Sequence, residues 1–133
     1  ILYPFENVYV INIMHPINDV AQINNKDSIS SCAKKMTDNP LGAALLLENG
    51  SLKGIVTEGD LRKSIASNLD LSNSIEPFIN DNPISIHSSV SILDAMKIME
   101  DRSSKISCLP VIDSDGKCLG LLTIHDLYQT KLV

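Results

Sequence analysis

The sequence predicts an α+β fold made of two pseudo-symmetric repeats, each strand–helix–strand–strand–helix, packed together as one module. Three observations predict it. The stretch Gly54-Ile55-Val56-Thr57-Glu58-Gly59-Asp60-Leu61 returns as Gly120-Leu121-Leu122-Thr123-Ile124-His125-Asp126-Leu127, with glycine, threonine, aspartate and leucine in register at an offset of 66. Upstream, Ile23 and Ile29 match Ile86 and Ile92, and Cys32 with Met36 matches Ala95 with Met99, at an offset of 63. Asn49-Gly50 and Asp115-Gly116 each stand between two apolar runs. Self-similarity of this kind means that one supersecondary unit is used twice. The difference between the offsets assigns a three-residue insertion to a loop between Met99 and Pro110.

Each repeat opens on a short extended stretch, residues 21–24 and 84–87. A helix follows, with one apolar stripe at three- and four-residue spacings: Ile29, Cys32, Ala33 and Met36, then Ile92, Ala95, Met96 and Met99. Ser28 and Ser91 precede these stripes as N-caps, and Asp94 stands three residues after Ser91. Residues 43–47 and 52–57, and residues 109–112 and 118–123, then read as two hairpins, because Asn-Gly and Asp-Gly supply the positive φ of a tight turn. A second helix is expected after Asp60 and after Asp126. The polar run from Asn68 leads into a linker with a short helix around residues 75–79, near Pro77. Pro16, Pro83 and Pro110 mark strand starts, where a missing N–H is tolerated. The expected division is a terminal linker segment at 1–12, a first repeat at 13–70, an inter-repeat linker at 71–82 and a second repeat at 83–133. One such repeat buries too little surface to stand comfortably alone.

The 133 residues are 44% hydrophobic and 20% charged, with no tryptophan, so the core is aliphatic. Wholesale disorder is excluded by that composition. The longest apolar run, residues 42–47, is far too short to span a bilayer. Residues 1–5 lack a basic n-region and a cleavage-site pattern, and the absent initiator methionine suggests a piece of something longer. The net charge of −5 is spread over both halves without a basic field. Nucleic-acid and membrane-surface binding are therefore disfavoured. Cys32, Cys108 and Cys118 form no C-x-x-C spacing and read as reduced core thiols of a cytoplasmic protein.

The residues with chemical potential close each repeat. Thr57 and Thr123 end a strand, and Asp60 and Asp126 follow three residues later at a helix start. A hydroxyl and free N–H groups there can hold phosphate, and a carboxylate can accept ribose hydroxyls. The same aspartates can equally serve as N-caps. Arg62 and Lys63 appear just inside a helix start, against the macrodipole preference, which suggests an anion nearby. His125 lies between Thr123 and Asp126, either over a bound phosphate or as a plain loop histidine. His15, His87 and His125 have no metal-ligand spacing, and no serine or cysteine is placed for triad chemistry.

The two Gly-apolar-apolar-Thr-x-x-Asp-Leu motifs, with Asp94-Ala95-Met96 before Met99 and with Leu109-Pro110-Val111-Ile112-Asp113, resemble those of a tandem CBS-domain pair, or Bateman module. The resemblance covers about residues 12–133. Ile13-Met14-His15, the stretch from Gly54 to Lys63 and that from Leu122 to Leu127 are similar to the C-terminal regulatory part of arabinose-5-phosphate isomerases. Those enzymes carry a sugar-isomerase (SIS) domain ahead of the pair and feed the biosynthesis of Kdo. CBS pairs fused to sugar nucleotidyltransferases are similar as well. The resemblance implies that Ile23, and Ile86 with His87, line a cleft. Pro110 and Val111, with Ala44 and Leu45 in the first repeat, would form a base-stacking wall.

The function implied is regulatory and non-catalytic. A nucleotide or nucleotide-sugar, with CMP-Kdo or an adenine nucleotide as candidates, would modulate an attached sugar-phosphate isomerase domain, and no cofactor or metal is required. A homodimer through the CBS pairs is expected, with the helices after Asp60 and Asp126 as candidate surfaces. The alternative is a dimerising or positioning module that binds nothing, or the CBS pair of a nucleotidyltransferase.

Overall fold

The computed structural model describes residues 8–100 and 106–131; residues 1–7 of the expected terminal segment lie outside them. In chain order the elements begin with α1 (Val10–Ile13), β1 (His15–Pro16), β2 (Ala21–Ile23), α2 (Ile29–Asp38), β3 (Ala43–Glu48), β4 (Ser51–Thr57) and α3 (Glu58–Ser67). A 3₁₀ turn at Glu76–Phe78 leads to β5 (Ile86–His87), α4 (Ile92–Glu100), β6 (Cys108–Ile112), β7 (Cys118–Thr123) and α5 (Ile124–Lys131). The α+β character and the repeated strand–helix–strand–strand–helix order are as the sequence predicts. No described helix is long and apolar enough to cross a membrane.

These elements fall into two units, residues 18–83 and residues 84–131 with 8–17. In the first, β2 runs parallel to β3, which pairs antiparallel with β4. In the second, β5 runs parallel to β6, β6 pairs antiparallel with β7, and β1 adds to the outer edge of β7. Ser28 caps α2 by accepting the Ser31 N–H at 3.0 Å, and Ser91 accepts the Asp94 N–H at 3.2 Å. Ile29, Cys32 and Met36 of α2 pack with Ala44, Val56 and Ile75; Ile92, Ala95, Met96 and Met99 of α4 pack with Leu109, Leu122 and Leu127. Each fully buried Leu or Ile contributes about 1.5–3 kcal/mol of hydrophobic stabilisation.

The segments ahead of the two repeats dock reciprocally. Residues 8–17 stand ahead of β2 yet belong to the unit of β5, β6 and β7: Val10 is fully buried there, and its N–H donates to Val90 O at 2.9 Å. Residues 73–80 precede the second repeat and do the same in the first unit. Ile75 is fully buried, its N–H donates to Asp27 O at 2.9 Å, and Asn80 bridges Ile55 on the outer edge of β4. Two glycines make room for these edges. A Cβ on Gly54 would come within 2.6 Å of Ile79 Cγ2, and one on Gly120 would collide with the His15 carbonyl oxygen.

Strand register corrects the position of the insertion. Ile23 pairs with Leu46 as Ile86 pairs with Val111, and Leu46 faces Gly54 as Val111 faces Gly120. Pro110 and Val111 therefore match Leu45 and Leu46, not Ala44 and Leu45. Two of the three extra residues lie between Met99 and Cys108, where 101–105 are outside the described residues, and one lies in the second hairpin. The first hairpin turns on Asn49 (φ 53°) and Gly50 (φ 83°), as a two-residue turn requires. The second uses residues 113–117, with Gly116 at φ 82° and the Asp113 carboxylate accepting the Asp115 and Lys117 N–H groups.

Pro110 is another correction: it sits inside β6, paired with Leu121, instead of at the strand start. It is tolerated because β5 is short and pairs only with Val111 and Ile112, so no ladder partner stands opposite Pro110 on that side. Cys32, Cys108 and Cys118 are buried and in no disulfide. Burial pushes the Cys32 thiol up to about 11, and it also raises that of Cys118.

Candidate functional site

The strand-to-helix junction of the first unit places Thr57 and Asp60 in direct contact. Thr57 keeps extended geometry (φ −90°, ψ 171°), and α3 begins at the next residue. The Thr57 hydroxyl accepts the Asp60 N–H at 3.4 Å, while Asp60 Oδ2 accepts both the Thr57 N–H and the Thr57 hydroxyl at 3.0 Å. This is a reciprocal capping box, and such caps contribute about 1 kcal/mol. Threonine is thus the N-cap and aspartate the third helical residue, whereas the sequence reading began the helix after the aspartate. Glu58 and Asp60 supply the acidic first turn that the macrodipole favours. Arg62 and Lys63 consequently fall in the second turn, both exposed, and the dipole argument for an anion beside them loses its premise.

The second unit repeats the box with an added member. Asp126 Oδ2 accepts the Thr123 N–H at 3.1 Å, and the Thr123 hydroxyl accepts the Asp126 N–H at 3.2 Å. The other oxygen, Oδ1, lies 3.1 Å from His15 Nε2 on β1. The His15 side chain is 34% exposed and that of Asp126 14%, so the pair is partly withdrawn from water. Sequence reasoning quotes His15 within the Ile13-Met14-His15 stretch and excludes a metal spacing for it, but does not pair it with Asp126. The signal that could have found it is its place ahead of the first parallel strand, equivalent to that of Asn80.

The remaining predicted residues are dispersed. Ile23 and Ile86 are 5% exposed and belong to the hydrophobic clusters of their own units. Pro110 and Val111 are buried in β6. His87 pairs with Ile112, four residues along β6 from the partner of Thr123, which is about 13 Å at strand rise. It is fixed there, accepting the Ser89 N–H on Nδ1 at 3.0 Å and so presenting Nε2–H to Ser114 Oγ at 3.0 Å. His125 is exposed in the first turn of α5. Arg62 lines a depression of about 300 Å³ between α2 and α3, together with Met36, Thr37 and Glu58. The matching depression of the second unit, about 350 Å³, is lined by Met99, Glu100, Ile106, Ile124 and Tyr128. Among the described residues, no three His, Cys, Asp or Glu side chains are grouped to hold a metal ion.

Comparison with known proteins gives a consistent result. The family model described as CBS domain matches residues 10–67 and again residues 75–131. Arabinose 5-phosphate isomerase KdsD of Francisella tularensis is 32% identical over 124 residues, covering 92% of this chain and 37% of the relative. Its namesake from Pseudomonas aeruginosa is 32% identical over 126 residues, covering 93% of this chain and 38% of the relative. The chain therefore spans well under half the length of these relatives. Among solved structures, CBSX2 in complex with AMP superposes with a TM-score of 0.78 at 20% identity, covering 95% of this chain and 97% of that one.

Proposed function

The chain belongs to the CBS domain family, and on that premise we propose that it is a regulatory pair that senses a nucleotide or nucleotide-sugar through its two Thr-x-x-Asp boxes. The observation that carries this reading is the doubled box itself, a hydroxyl and a carboxylate held together at a helix start in each repeat. The helix N–H groups suit phosphate, and carboxylate oxygens suit the hydroxyls of a ribose, each charge-assisted bond contributing about 1.5–3 kcal/mol. Kinship with the KdsD isomerases supports a sugar-phosphate isomerase as the regulated activity, with CMP-Kdo as a feedback ligand. The AMP held by CBSX2 supports an adenine nucleotide. Regulation would follow from different ligand affinities for two states of the larger protein. The pair itself supplies no catalytic group in this reading.

Thermal denaturation with AMP, ATP and CMP-Kdo tests it. A ligand at a hundred times its Kd stabilises by about 2.7 kcal/mol, so melting should rise with concentration and the rise should vanish in a variant carrying both Asp60→Asn and Asp126→Asn. No rise with any of the three ligands sinks the reading. A second reading, a dimerising module, is favoured by the apolar depression between α4 and α5, where Tyr128 is 47% exposed. Under it, the Asp60→Asn and Asp126→Asn changes leave function intact, and sedimentation shows a homodimer that Tyr128→Glu dissociates.

A further inference from the structure

His15 and Asn80 occupy one structural position. His15 pairs with Leu121 on β7 as Asn80 pairs with Ile55 on β4, and Leu121 and Ile55 each follow the glycine that makes room for the docked edge. Their backbones do the same work, but their side chains differ. The imidazole reaches Asp126 Oδ1 at 3.1 Å. The shorter amide turns to its own loop, where Asn80 Oδ1 accepts the Asn82 N–H at 3.0 Å. Asp60 engages Thr57 through Oδ2, and its Oδ1 has no hydrogen-bond partner among the described residues.

We propose that His15 is a competitive latch on Asp126, so that the two repeats are unequal sites for a ribose-bearing ligand, open at Asp60 and latched at Asp126. The inference rests on the reading that these carboxylates accept ribose hydroxyls. A ligand hydroxyl that approaches Asp126 Oδ1 along the direction His15 now holds has to displace the imidazole, while Oδ2 stays engaged by the Thr123 N–H. Displacement frees the side chain of a β1 residue, and β1 continues from α1, whose Val10 is anchored in the core beside Leu127. Occupancy of the second box is thereby transmitted to residues 8–17, while occupancy of the first has no such connection through Asn80.

Exchanging the two residues tests this directly. AMP is titrated calorimetrically into the unaltered chain, His15→Asn and Asn80→His, with the histidine ring resonances followed by NMR. Asparagine already fits the equivalent strand position, so His15→Asn should fold, and melting curves verify it. The expected wild-type result is one stronger and one weaker site. His15→Asn should tighten the weaker site by up to about fivefold, the scale of a partly exposed pair, and leave the stronger one unchanged. Asn80→His should weaken the stronger site by a similar factor. The His15 ring resonances should shift as the weaker site fills. AMP binding that His15→Asn leaves unchanged or weakens overturns the latch, as do ring resonances that ignore the second site. No heat from AMP, or from CMP titrated in parallel, with any of the three proteins overturns the ligand reading itself, and the latch with it.

Discussion

Asp27 and Lys35 of the first unit hold each other at 2.8 Å. The matching positions in the second unit carry Val90 and Ile98, half-buried against its core. A similar exchange recurs at the edge strand, where Asn80 in one unit answers to His15 in the other. The frame is common to both: two docked segments, two glycines, two capping boxes. Only the chemistry filling it differs. Backbone register and cap geometry therefore constrain the fold, and side chains at equivalent positions are left to diverge in charge and function.

The largest test of that comparison concerns the docked segments. Ile75 and Val10 are equivalent and fully buried, so Ile75→Ala should cost about 3–4 kcal/mol and Val10→Ala about 2 kcal/mol, in proportion to the carbon removed. Urea denaturation measures both. A cost below about 1 kcal/mol at either position means that its segment is loosely held and that the reciprocal docking is incomplete.

A smaller difference is expected between the two glycines. An added methyl on Gly120 meets the His15 backbone, which cannot yield without moving β1, whereas one on Gly54 first meets a side-chain group, the Ile79 γ2 methyl, with Asn80 O at 3.2 Å. Gly120→Ala should destabilise by about 2–3 kcal/mol and Gly54→Ala by about 1 kcal/mol. Equal losses would show that the two edges are equally rigid.

The smallest effect depends on pH. Burial alone would raise the Asp27 carboxyl, but the Lys35 ammonium and the Asn24 N–H outweigh it and hold the group below its usual 3.8. A carboxyl depressed in the folded state stabilises fully above its unfolded value, and that stability is lost as pH falls through the folded value. Asp27→Asn should thus cost about 1 kcal/mol at neutral pH, and the difference from the unaltered chain should disappear in strong acid. Val90 and Ile98 offer no such titration. A pH-independent cost for Asp27→Asn would assign the loss to packing instead of charge.

Much of this frame can be read from the residues alone. The Gly-to-Leu motif, the serine caps and the Asn-Gly turn act through local backbone preferences, so each declares itself within a few positions. The helix starts were displaced because Thr57 and Asp60 are both good caps, and only the extended geometry at Thr57 separates their roles. The insertion was misplaced because a hairpin absorbs one residue in its loop without disturbing the apolar pattern, and register alone exposes it. The pairing of His15 escaped notice for a third reason: its partner Asp126 is 111 residues away, beyond any local pattern.

That separation bears on how the chain acquires its structure. The first unit is continuous in sequence, and its docked segment closes onto it through contacts such as Ser74 with Asn25, 49 residues apart. The second unit joins residues 8–17 to residues beyond 83, and β1 pairs with β7 across more than 100 intervening residues. Loop-closure entropy disfavours the longer connection by roughly 0.7 kcal/mol, and non-local pairing slows folding further. Residues 18–83 are therefore expected to fold first, with residues 8–17 waiting for β7 to be made.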